Sequence, residues 1–443
     1  MEKKLKNWGN YPIVQSDVVH FDTISSARSV CSKKNHKIAR GMGRCYGDAS
    51  LGDHVISTQK FNRVISFDAE TGVIECQAGF SLDDVLKLSV PKGWFLPVTP
   101  GTKYVSVGGA VASDIHGKNH HKEGSFSNHI LELTILCGDG KTYKCSKIEH
   151  PDLFEATCGG MGLTGLILNV KFQLKKVETA YISQKQIKAS NLDELLRLFE
   201  KHKDYTYSVA WVDCLAQGND FGRSILILGE HARMDELQGK ASKAPLKTHT
   251  EASLNVPFNF PAFTLNKLSI KLFNIAYYGK NLKKVQDGIV HYDGFFYPLD
   301  NILNWNRMYG KTGFLQYQFV LPLDRVDGLK HIMNRIAEKK QGSFLSVLKV
   351  FGPQDDMIAF PHEGYTLALD FPMKSGILDF LDELDDLVRQ YGGRIYLTKD
   401  ARMDKKFFKE SYPRFDEFVS VVKKYNPNME FRSTQSDRLA ITR

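Results

Sequence analysis

Several features that assign a chain to a special class are missing from this sequence. Its 443 residues contain no run of about 18 uncharged apolar residues, so we expect no membrane-spanning helix. There is also no internal repeat and no low-complexity segment. The basic start, MEKKLKNWGNYP, is followed by no apolar stretch, which indicates a cytoplasmic protein without a secretory signal.

Cysteine is scarce and charge is nearly balanced. The seven cysteines form no CxxC pair, which favours reduced thiols over a structural zinc site. Lys and Arg number 59 against 50 Asp and Glu, a net charge of +9 without a block of five like charges. This excess does not indicate a nucleic-acid partner. If concentrated, it would favour phosphate groups or an anionic membrane surface.

The pattern of the chain predicts an α+β fold. Residues 1–180 hold short β-type runs broken by glycine, with one helix predicted from Ser81 to about Pro91. Beyond residue 180, strands such as FLQYQFVLP (314–322) alternate with amphipathic helices such as NLDELLRLFEKHK (191–203). The stretch 240–305 is rich in aromatic residues and shows few clear periods.

Two glycine-rich segments are candidates for a ligand site. The first, ARGMGRCYGDAS (39–50), lets consecutive N–H groups approach an anion, although a surface turn would share this composition. It matches neither GxGxxG before an apolar helix nor GxxxxGK[ST]. The second, VTPGTKYVSVGGAVASDIHGKNHHKEGSFSNHI (98–130), combines small residues that can pack under a flat ring with histidine and lysine. A metal site is the competing interpretation, but no carboxylate or thiolate pattern accompanies the imidazoles.

A third such segment, ATCGGMGLTGLILNV (156–170), completes a recognisable order. The three together resemble the FAD-binding domain of the vanillyl-alcohol-oxidase type. A closer resemblance is to the decaprenylphosphoryl-β-D-ribose 2-oxidases, and it extends from about residue 38 to beyond 400. The phrases that carry it include GRCYGDA, PVTPGT, VGGAVASDIHGKNHH, GGMGLTG, YSVAWVDCLA, LDNILNWNRMYGKTGFLQYQF, SVLKVFGP and GGRIYLTKDAR.

The resemblance implies an FAD-binding domain over 1–180, a substrate domain over 181–394 and a C-terminal segment, 395–443, that returns to the first domain. Covalent relatives often attach FAD through a histidine in the first glycine loop. Here the loop reads Gly43-Arg44-Cys45-Tyr46, so we expect non-covalent FAD. The implied cofactor residues are Ala39, Arg40, Gly41, Met42, Gly43, Arg44, Cys45, Tyr46, Gly47, Asp48, Ala49, Gly101, Ser106, Val107, Gly108, Gly109, Ser113, Asp114, Ile115, His116, Ile167 and Tyr396.

The resemblance also implies the reacting groups. Oxidation of a secondary alcohol removes a hydride from carbon and a proton from oxygen, and basic side chains can hold the hydroxyl. The implied catalytic residues are Lys399, His116, Lys118 and Tyr46, and the choice of base among them is open. The implied substrate-binding residues are Gln316, Gln318, Lys349 and Ala368. Many family members have a cysteine at the position of Ala368, so capture of inhibitors through that thiol would be lost.

The implied reaction is oxidation of the 2-hydroxyl of a polyprenyl-phosphoryl ribose to the 2-keto sugar. A keto-sugar reductase would then complete an epimerisation for cell-wall synthesis, and a quinone or another acceptor would take the electrons. An alditol or aldonolactone oxidase that uses oxygen is one alternative, and a non-catalytic flavin-binding or lipid-sugar-binding protein is another. Such a substrate suggests peripheral contact with the inner face of a membrane.

The prenyl chain requires an apolar groove or a membrane edge. The aromatic-rich region 255–300 is a candidate for that groove, and an ordinary core is an equal alternative. The residues that suggested it are Phe258, Phe260, Phe263, Leu268 and Phe273.

The absence of a histidine in the first glycine loop has a testable consequence. We expect a yellow protein that releases intact FAD when it is denatured by acid or heat. Flavin absorbance in the supernatant after centrifugation measures the release. Flavin that stays with the pelleted protein would contradict non-covalent binding.

Overall fold

The computed structural model describes residues 2–248, 254–261 and 264–442 of the chain. Helices and sheets are mixed along it, which confirms the α+β prediction. Strands that precede residue 180 and strands that follow it lie in separate large sheets.

The strands of the first part form two larger sheets and one small one. The four-stranded sheet has the order β1-β2-β4-β3, and the five-stranded sheet has the order β5-β6-β10-β8-β9. Their bounds are β1 (Glu2–Lys6), β2 (Ile13–His20), β3 (Lys37–Arg40), β4 (His54–Ser57), β5 (Val64–Phe67), β6 (Val73–Gln77), β7 (Trp94–Phe95), β8 (Ile130–Cys137), β9 (Thr142–Cys145), β10 (Gly165–Gln173) and β11 (Lys175–Lys176).

The second part is built on one antiparallel sheet of eight strands, ordered β16-β12-β14-β13-β19-β20-β18-β21. A small parallel pair, β15 with β17, lies outside it. The bounds are β12 (Tyr181–Ala189), β13 (Tyr207–Val212), β14 (Ser224–His231), β15 (Leu254–Asn255), β16 (Val285–His291), β17 (Ile302–Leu303), β18 (Phe314–Pro322), β19 (Ser346–Phe351), β20 (Gly364–Pro372) and β21 (Arg394–Ile395).

The helices cover these sheets and carry the C-terminal segment. Their bounds are α1 (Ile24–Cys31), α2 (Leu82–Ser89), α3 (Val107–Ala112), α4 (His120–Glu123), α5 (Pro151–Thr157), α6 (Leu192–Lys201), α7 (Lys240–Lys243), α8 (Lys267–Gly279), α9 (Tyr292–Phe296), α10 (Val326–Glu338), α11 (Ile377–Gln390), α12 (Lys405–Ser411), α13 (Phe415–Tyr425) and α14 (Thr434–Arg438). The N-cap predicted at Ser81 is confirmed, because its side chain accepts a hydrogen bond from the N–H of Asp84.

The eight-stranded sheet has one covered face and one face turned toward a cavity. Helices α6, α10 and α11 pack on the covered face, where the Tyr317 hydroxyl donates to Asp385 of α11 at 2.9 Å. Because side chains alternate along a strand, the neighbouring Gln316 and Gln318 point to the opposite face. The helix packing therefore determines which side of each strand is free to contact a ligand.

The C-terminal segment returns to the first part of the chain. The N–H of Tyr46 donates to the carbonyl of Thr398 at 2.9 Å. The guanidinium of Arg438 pairs with Asp48 at 2.9 Å and with Asp400 at 2.8 Å. Both carboxylates are almost fully buried, so one arginine pairs with two dehydrated acids where the C-terminal segment meets the first glycine-rich loop.

The region 240–305 contains more regular structure than its pattern indicated. Helix α8 spans Lys267–Gly279, and β16 pairs with β12 at an edge of the large sheet. The helix escaped prediction because its apolar residues lie all around it: Ile270 is buried, whereas Leu268 and Leu272 are exposed. Within the described residues, no helix is long and apolar enough to cross a membrane.

Replacement of Arg438 by alanine should destabilise the fold strongly. Asp48 and Asp400 would remain buried without their common partner, and breaking a buried ion pair from one side costs about 3 kcal/mol or more. The midpoint of urea denaturation measures the loss. The matched control is Lys424→Ala, which removes an exposed pair with Asp152 and should cost at most about 1 kcal/mol. Equal effects of the two substitutions would contradict this account of the junction.

Candidate active site

A cavity of about 620 Å³ lies between the glycine-rich loops of the first part and the open face of the eight-stranded sheet. All three glycine-rich segments reach its wall, through residues such as Gly43, Gly108 and Gly162. From the other side come β18, β19 and β20, with Gln318, Lys349 and Ala368 respectively. The fold thus brings together residues from the whole length of the chain.

The first loop is shaped as an anion cradle. Gly43 has φ +62°, which favours glycine, and a Cβ on Gly41 would lie 2.0 Å from the hydroxyl of Ser106. In the part of the chain that the structure describes, the N–H groups of Met42, Gly43 and Arg44 have no protein acceptor. Arg44 stacks on the Trp8 ring at 3.9 Å and adds positive charge at the cavity wall. Free N–H groups beside a cation fit a phosphate group.

Most of the cofactor residues implied by the resemblance lie on the cavity wall. Those that line it are Ala39, Gly41, Met42, Gly43, Arg44, Cys45, Tyr46, Ala49, Gly101, Ser106, Gly108, Gly109, Ser113, Ile115, His116, Ile167 and Tyr396. The hydroxyl of Tyr396 donates to the carbonyl of Ser113 at 2.8 Å, which ties the C-terminal segment to the second loop.

Five implied residues lie behind the wall and shape it. Arg40 donates to Ser50 at 3.1 Å and to Asn7, and Asp48 pairs with Arg438. Gly47 has no room for a side chain, because a Cβ would lie 1.7 Å from the carbonyl oxygen of Asp400. Two more complete the set: Val107 is fully buried in the core, and Asp114 accepts from Ser127 and Gln354.

His116 is a neutral hydrogen-bonding group in the cavity. Burial, together with Lys349, His120 and Lys399, lowers its pKa well below the usual value. Its Nε2 accepts from the amide of Gln318 at 3.0 Å, because the same amide nitrogen also donates to Thr366. The ring proton therefore resides on Nδ1, which is buried and has no partner in the described part of the chain. An unpartnered N–H at a cavity wall indicates a missing ligand atom.

The other histidines of this segment point to different partners. His120 shares a hydrogen bond with Gln354 at 2.8 Å, and its Nδ1 accepts from the N–H of Gly352. His121 contacts the carbonyl of Tyr205 at 2.9 Å through Nε2. Among the residues the structure describes, no group of three or more His, Cys, Asp or Glu side chains could hold a metal ion. The imidazoles serve packing and hydrogen bonding here.

Three lysines converge on the cavity from different elements. Burial lowers the pKa of Lys118 to about 8, and burial with Lys118 and Lys399 lowers the pKa of Lys349 to about 7. Burial also lowers the pKa of Lys399 to about 8, while Asp370 acts in the opposite direction. The Lys399 ammonium lies 4.0 Å from the centre of the Tyr46 ring. Like charges brought together in a dry cavity are stabilised when an anion binds between them.

A buried acid that sequence reasoning missed supports this cluster. Asp370 accepts from Gln316 at 2.6 Å and from the Tyr309 hydroxyl at 3.2 Å. Burial raises its pKa to about 7. Asp370 begins the DFP triplet of β20. An acid inside an otherwise apolar strand was the signal in the sequence that could have indicated it. Asp370 holds Gln316 in place.

The candidate region 255–300 contributes Tyr277 to the apolar end of the cavity, but sequence reasoning missed the strands that also line this end. This end lies over β12, β13 and β14, and its wall combines the apolar side chains of Val209, Trp211 and Ile227 with the amides of Gln184 and Gln186. The rings of Trp211 and Tyr277 are 4.7 Å apart. Trp211 is part of the phrase YSVAWVDCLA, which could have indicated it. The cavity is therefore cationic at one end and largely apolar at the other.

A phosphate cradle joined to a neutral histidine and lysines of lowered pKa defines an FAD-dependent oxidoreductase. The family model of the FAD binding domain matches residues 19–146, which include the first two glycine-rich segments. The chain is 37% identical to the decaprenylphosphoryl-β-D-ribose oxidase of Mycolicibacterium smegmatis, over 99% of this chain and 98% of that protein. It belongs to the family of decaprenylphosphoryl-β-D-ribose oxidases.

Other relatives are more distant. An uncharacterised protein of Streptomyces coelicolor is 31% identical over 82% of this chain and all of that protein. A putative D-arabinono-1,4-lactone oxidase of Neurospora crassa is 28% identical over 46% of this chain and 37% of that protein.

The residues present fit FAD. The unpartnered N–H groups of Met42, Gly43 and Arg44 suit its pyrophosphate, and small residues on α3 leave room for a flat ring system. The cofactor expectation is confirmed by the matching family model and by the family of the chain.

The lysine pKa values predict how anion binding depends on pH. As pH rises through about 7 to about 8, first Lys349 and then Lys118 and Lys399 lose their charge. The affinity for an anion with an apolar tail should therefore fall over this range. Calorimetric titration of the FAD-loaded protein with farnesyl phosphate at several pH values measures it. Lys349→Met should flatten the dependence, and an affinity that rises with pH would contradict the lysine assignment.

Proposed function

We propose that this protein oxidises the 2-hydroxyl of a polyprenyl-phosphoryl-β-D-ribose to the 2-keto sugar. The observation that carries the proposal is the convergence of Lys118, Lys349 and Lys399 on one cavity that also contacts the glycine cradle. The name of the M. smegmatis relative supports the same substrate class. The cationic and apolar ends of the cavity suit the phosphate and the lipid of such a molecule.

FAD, when bound, supplies the two-electron oxidation of the sugar carbon. The chain supplies the proton transfer and the charge complementarity. We assign Lys399 as the group that takes the hydroxyl proton, because its pKa of about 8 leaves a neutral fraction near neutral pH. His116 cannot readily take that role, since its Nε2 already accepts from Gln318. Its Nδ1–H instead donates to an oxygen of the substrate.

The remaining polar residues of the cavity bind and orient the substrate. Lys118 and Lys349 attract the phosphodiester, and Gln316 donates to a sugar hydroxyl through the N–H that Asp370 does not use. Gln318 offers its carbonyl oxygen as an acceptor, because its two N–H groups already donate to His116 and Thr366. The ring of Tyr46 positions Lys399 through a cation–π contact with the ammonium group. Burial raises the pKa of the Tyr46 phenol, so that this group stays protonated. Ala368, opposite Gln318 in the sheet, leaves space rather than making a polar contact.

The prenyl chain occupies the apolar end of the cavity in this proposal. Val209, Trp211 and Ile227 provide a surface there without formal charge. In this proposal residues 1–180 with 395–443 hold the cofactor, and 181–394 hold the substrate. The separate sheets support the limit at 180, whereas β21 (Arg394–Ile395) of the eight-stranded sheet crosses the limit at 394.

The chemistry implies partners for the product and the electrons. A 2-keto sugar becomes the arabinose epimer only through a reductase, and the electrons require a quinone or another acceptor. We place the protein in the cytoplasm, in peripheral contact with the inner face of the membrane that holds its substrate.

The decisive test is anaerobic reduction of the bound flavin. Farnesyl-phosphoryl ribose should bleach the flavin absorbance, whereas free sugars and D-arabinono-1,4-lactone should not. Bleaching by the lactone alone would instead favour the lactone oxidase alternative.

Replacement of Lys399 by alanine should slow this bleaching at least about 100-fold, because the proton acceptor is lost. FAD should stay bound, since the glycine cradle is intact, and the flavin spectrum after gel filtration checks this. The matched control is the nearby exposed Lys405→Ala, which should reduce its flavin at the parental rate. Parental rates in both variants would exclude a catalytic role for Lys399.

A further inference from the structure

Helix α8 buries a polar side chain and exposes several apolar ones. Asn274 is fully buried and donates to the carboxylate of Asp213 at 2.7 Å. The opposite face carries Leu268, Leu272 and Ile275, which are 66%, 58% and 47% exposed. These three residues share one face, because they lie four and three positions apart on a helix. An exposed apolar stripe of this kind indicates a surface that is covered during function.

The charge around this stripe has one sign. Residues 267–284 contain five lysines and neither aspartate nor glutamate. Lys267 and Lys271 are exposed beside the stripe, and Lys283 follows the helix next to Leu282, which is 91% exposed. Only Lys284 has a recorded ion pair among the residues described, with Glu194 at 2.8 Å. Lysine is depleted from protein interfaces but common on helices that lie at anionic lipid surfaces.

The helix that carries the stripe also reaches the cavity through its other face. Tyr277, near the C-terminal end of α8, and Lys280, which follows the helix, belong to the cavity wall. The ammonium of Lys280 lies 3.5 Å from the centre of the Tyr277 ring. The exposed stripe and the cavity wall are therefore two faces of one helix, and a surface bound to the stripe would lie within one helix diameter of the cavity.

We propose that the exposed face of α8, defined by Leu268, Leu272 and Ile275, docks on the surface of an anionic lipid bilayer. The apolar side chains enter the interface, and the flanking lysines contact lipid phosphates. The inference rests on the proposed function, because it supplies a route for a prenyl-anchored substrate from the bilayer into the cavity. It refines the general expectation of peripheral contact to one helix and one orientation.

The test measures co-sedimentation with vesicles of equal parts phosphatidylglycerol and phosphatidylcholine, using the full FAD-loaded chain. The parental protein should bind at low salt, bind more weakly at high salt and bind poorly to phosphatidylcholine alone. The double variant Leu272→Glu with Ile275→Glu should lose at least about ten-fold in affinity for these vesicles. The matched control is Ile148→Glu, at a 93% exposed position of the first part, which should bind as the parent does.

A second pair of substitutions tests the charges separately. Lys267→Gln with Lys271→Gln should weaken binding at low salt and leave a smaller dependence on salt. Sedimentation velocity without vesicles shows whether the helix face joins two copies of the chain instead. Dimers that dissociate in the Leu272→Glu, Ile275→Glu variant would overturn the lipid assignment, as would parental vesicle binding by that variant or no binding by the parent.

Bleaching in solution separates this inference from the proposed function. Farnesyl-phosphoryl ribose without vesicles should reduce the flavin of the double variant at the parental rate, which also shows that the variant is folded. If the parent bound vesicles through α8 but did not react with this compound, the proposed function would be wrong and the docking surface would be supported. If the parent reacted but the double variant bound vesicles normally, only the docking surface would be wrong.

Discussion

The contact between the first glycine loop and the segment around Lys399 is the constraint on which the site depends. The carbonyl of Asp400 occupies the space that a side chain at residue 47 would need, so glycine is required there. The backbone N–H of Tyr46 donates to Thr398, and Arg438 pairs with one acid on each side of the contact. Two distant parts of the chain are thereby held in a fixed relative position. The loop that suits a phosphate and the lysine that suits proton transfer can then face the same cavity.

This contact allows the protein to keep several lysine side chains close together in a buried cavity, where their charged forms are unfavourable. Lys118, Lys349 and Lys399 come from a loop, a strand and the C-terminal segment, and burial lowers the pKa of each. The packed sheet and its helices provide the free energy that keeps these groups dehydrated and close together. In such a place an anion binds with little reorganisation, because the complementary charges are already oriented. Asp370, held behind Gln316, balances the cluster without blocking it.

Helices and strands with one apolar and one polar face were predictable from the sequence. Elements whose buried face is determined by contacts with other parts of the chain were not. The helix over 191–203 and the strand over 314–322 follow simple periods and occur as Leu192–Lys201 and Phe314–Pro322. Helix α8 was missed because it buries Asn274 and exposes leucine, which reverses the usual pattern. Of the residues that suggested an apolar groove, Phe258, Leu268 and Phe273 are exposed and Phe260 is half-buried. Phe263 lies outside the described residues.

The sequence by itself determined the chemistry that is available: glycine where the backbone must approach an anion, and histidine and lysine in phrases that resemble one family. It also determined the alternation that places Gln316 and Gln318 on one face. Only the tertiary structure decided that His116 uses Nε2 to accept from Gln318, that His120 and His121 turn elsewhere, and that Asp370 stands behind the site. These properties depend on contacts between residues far apart in the chain and on how much water the packing removes, and neither is local to any motif.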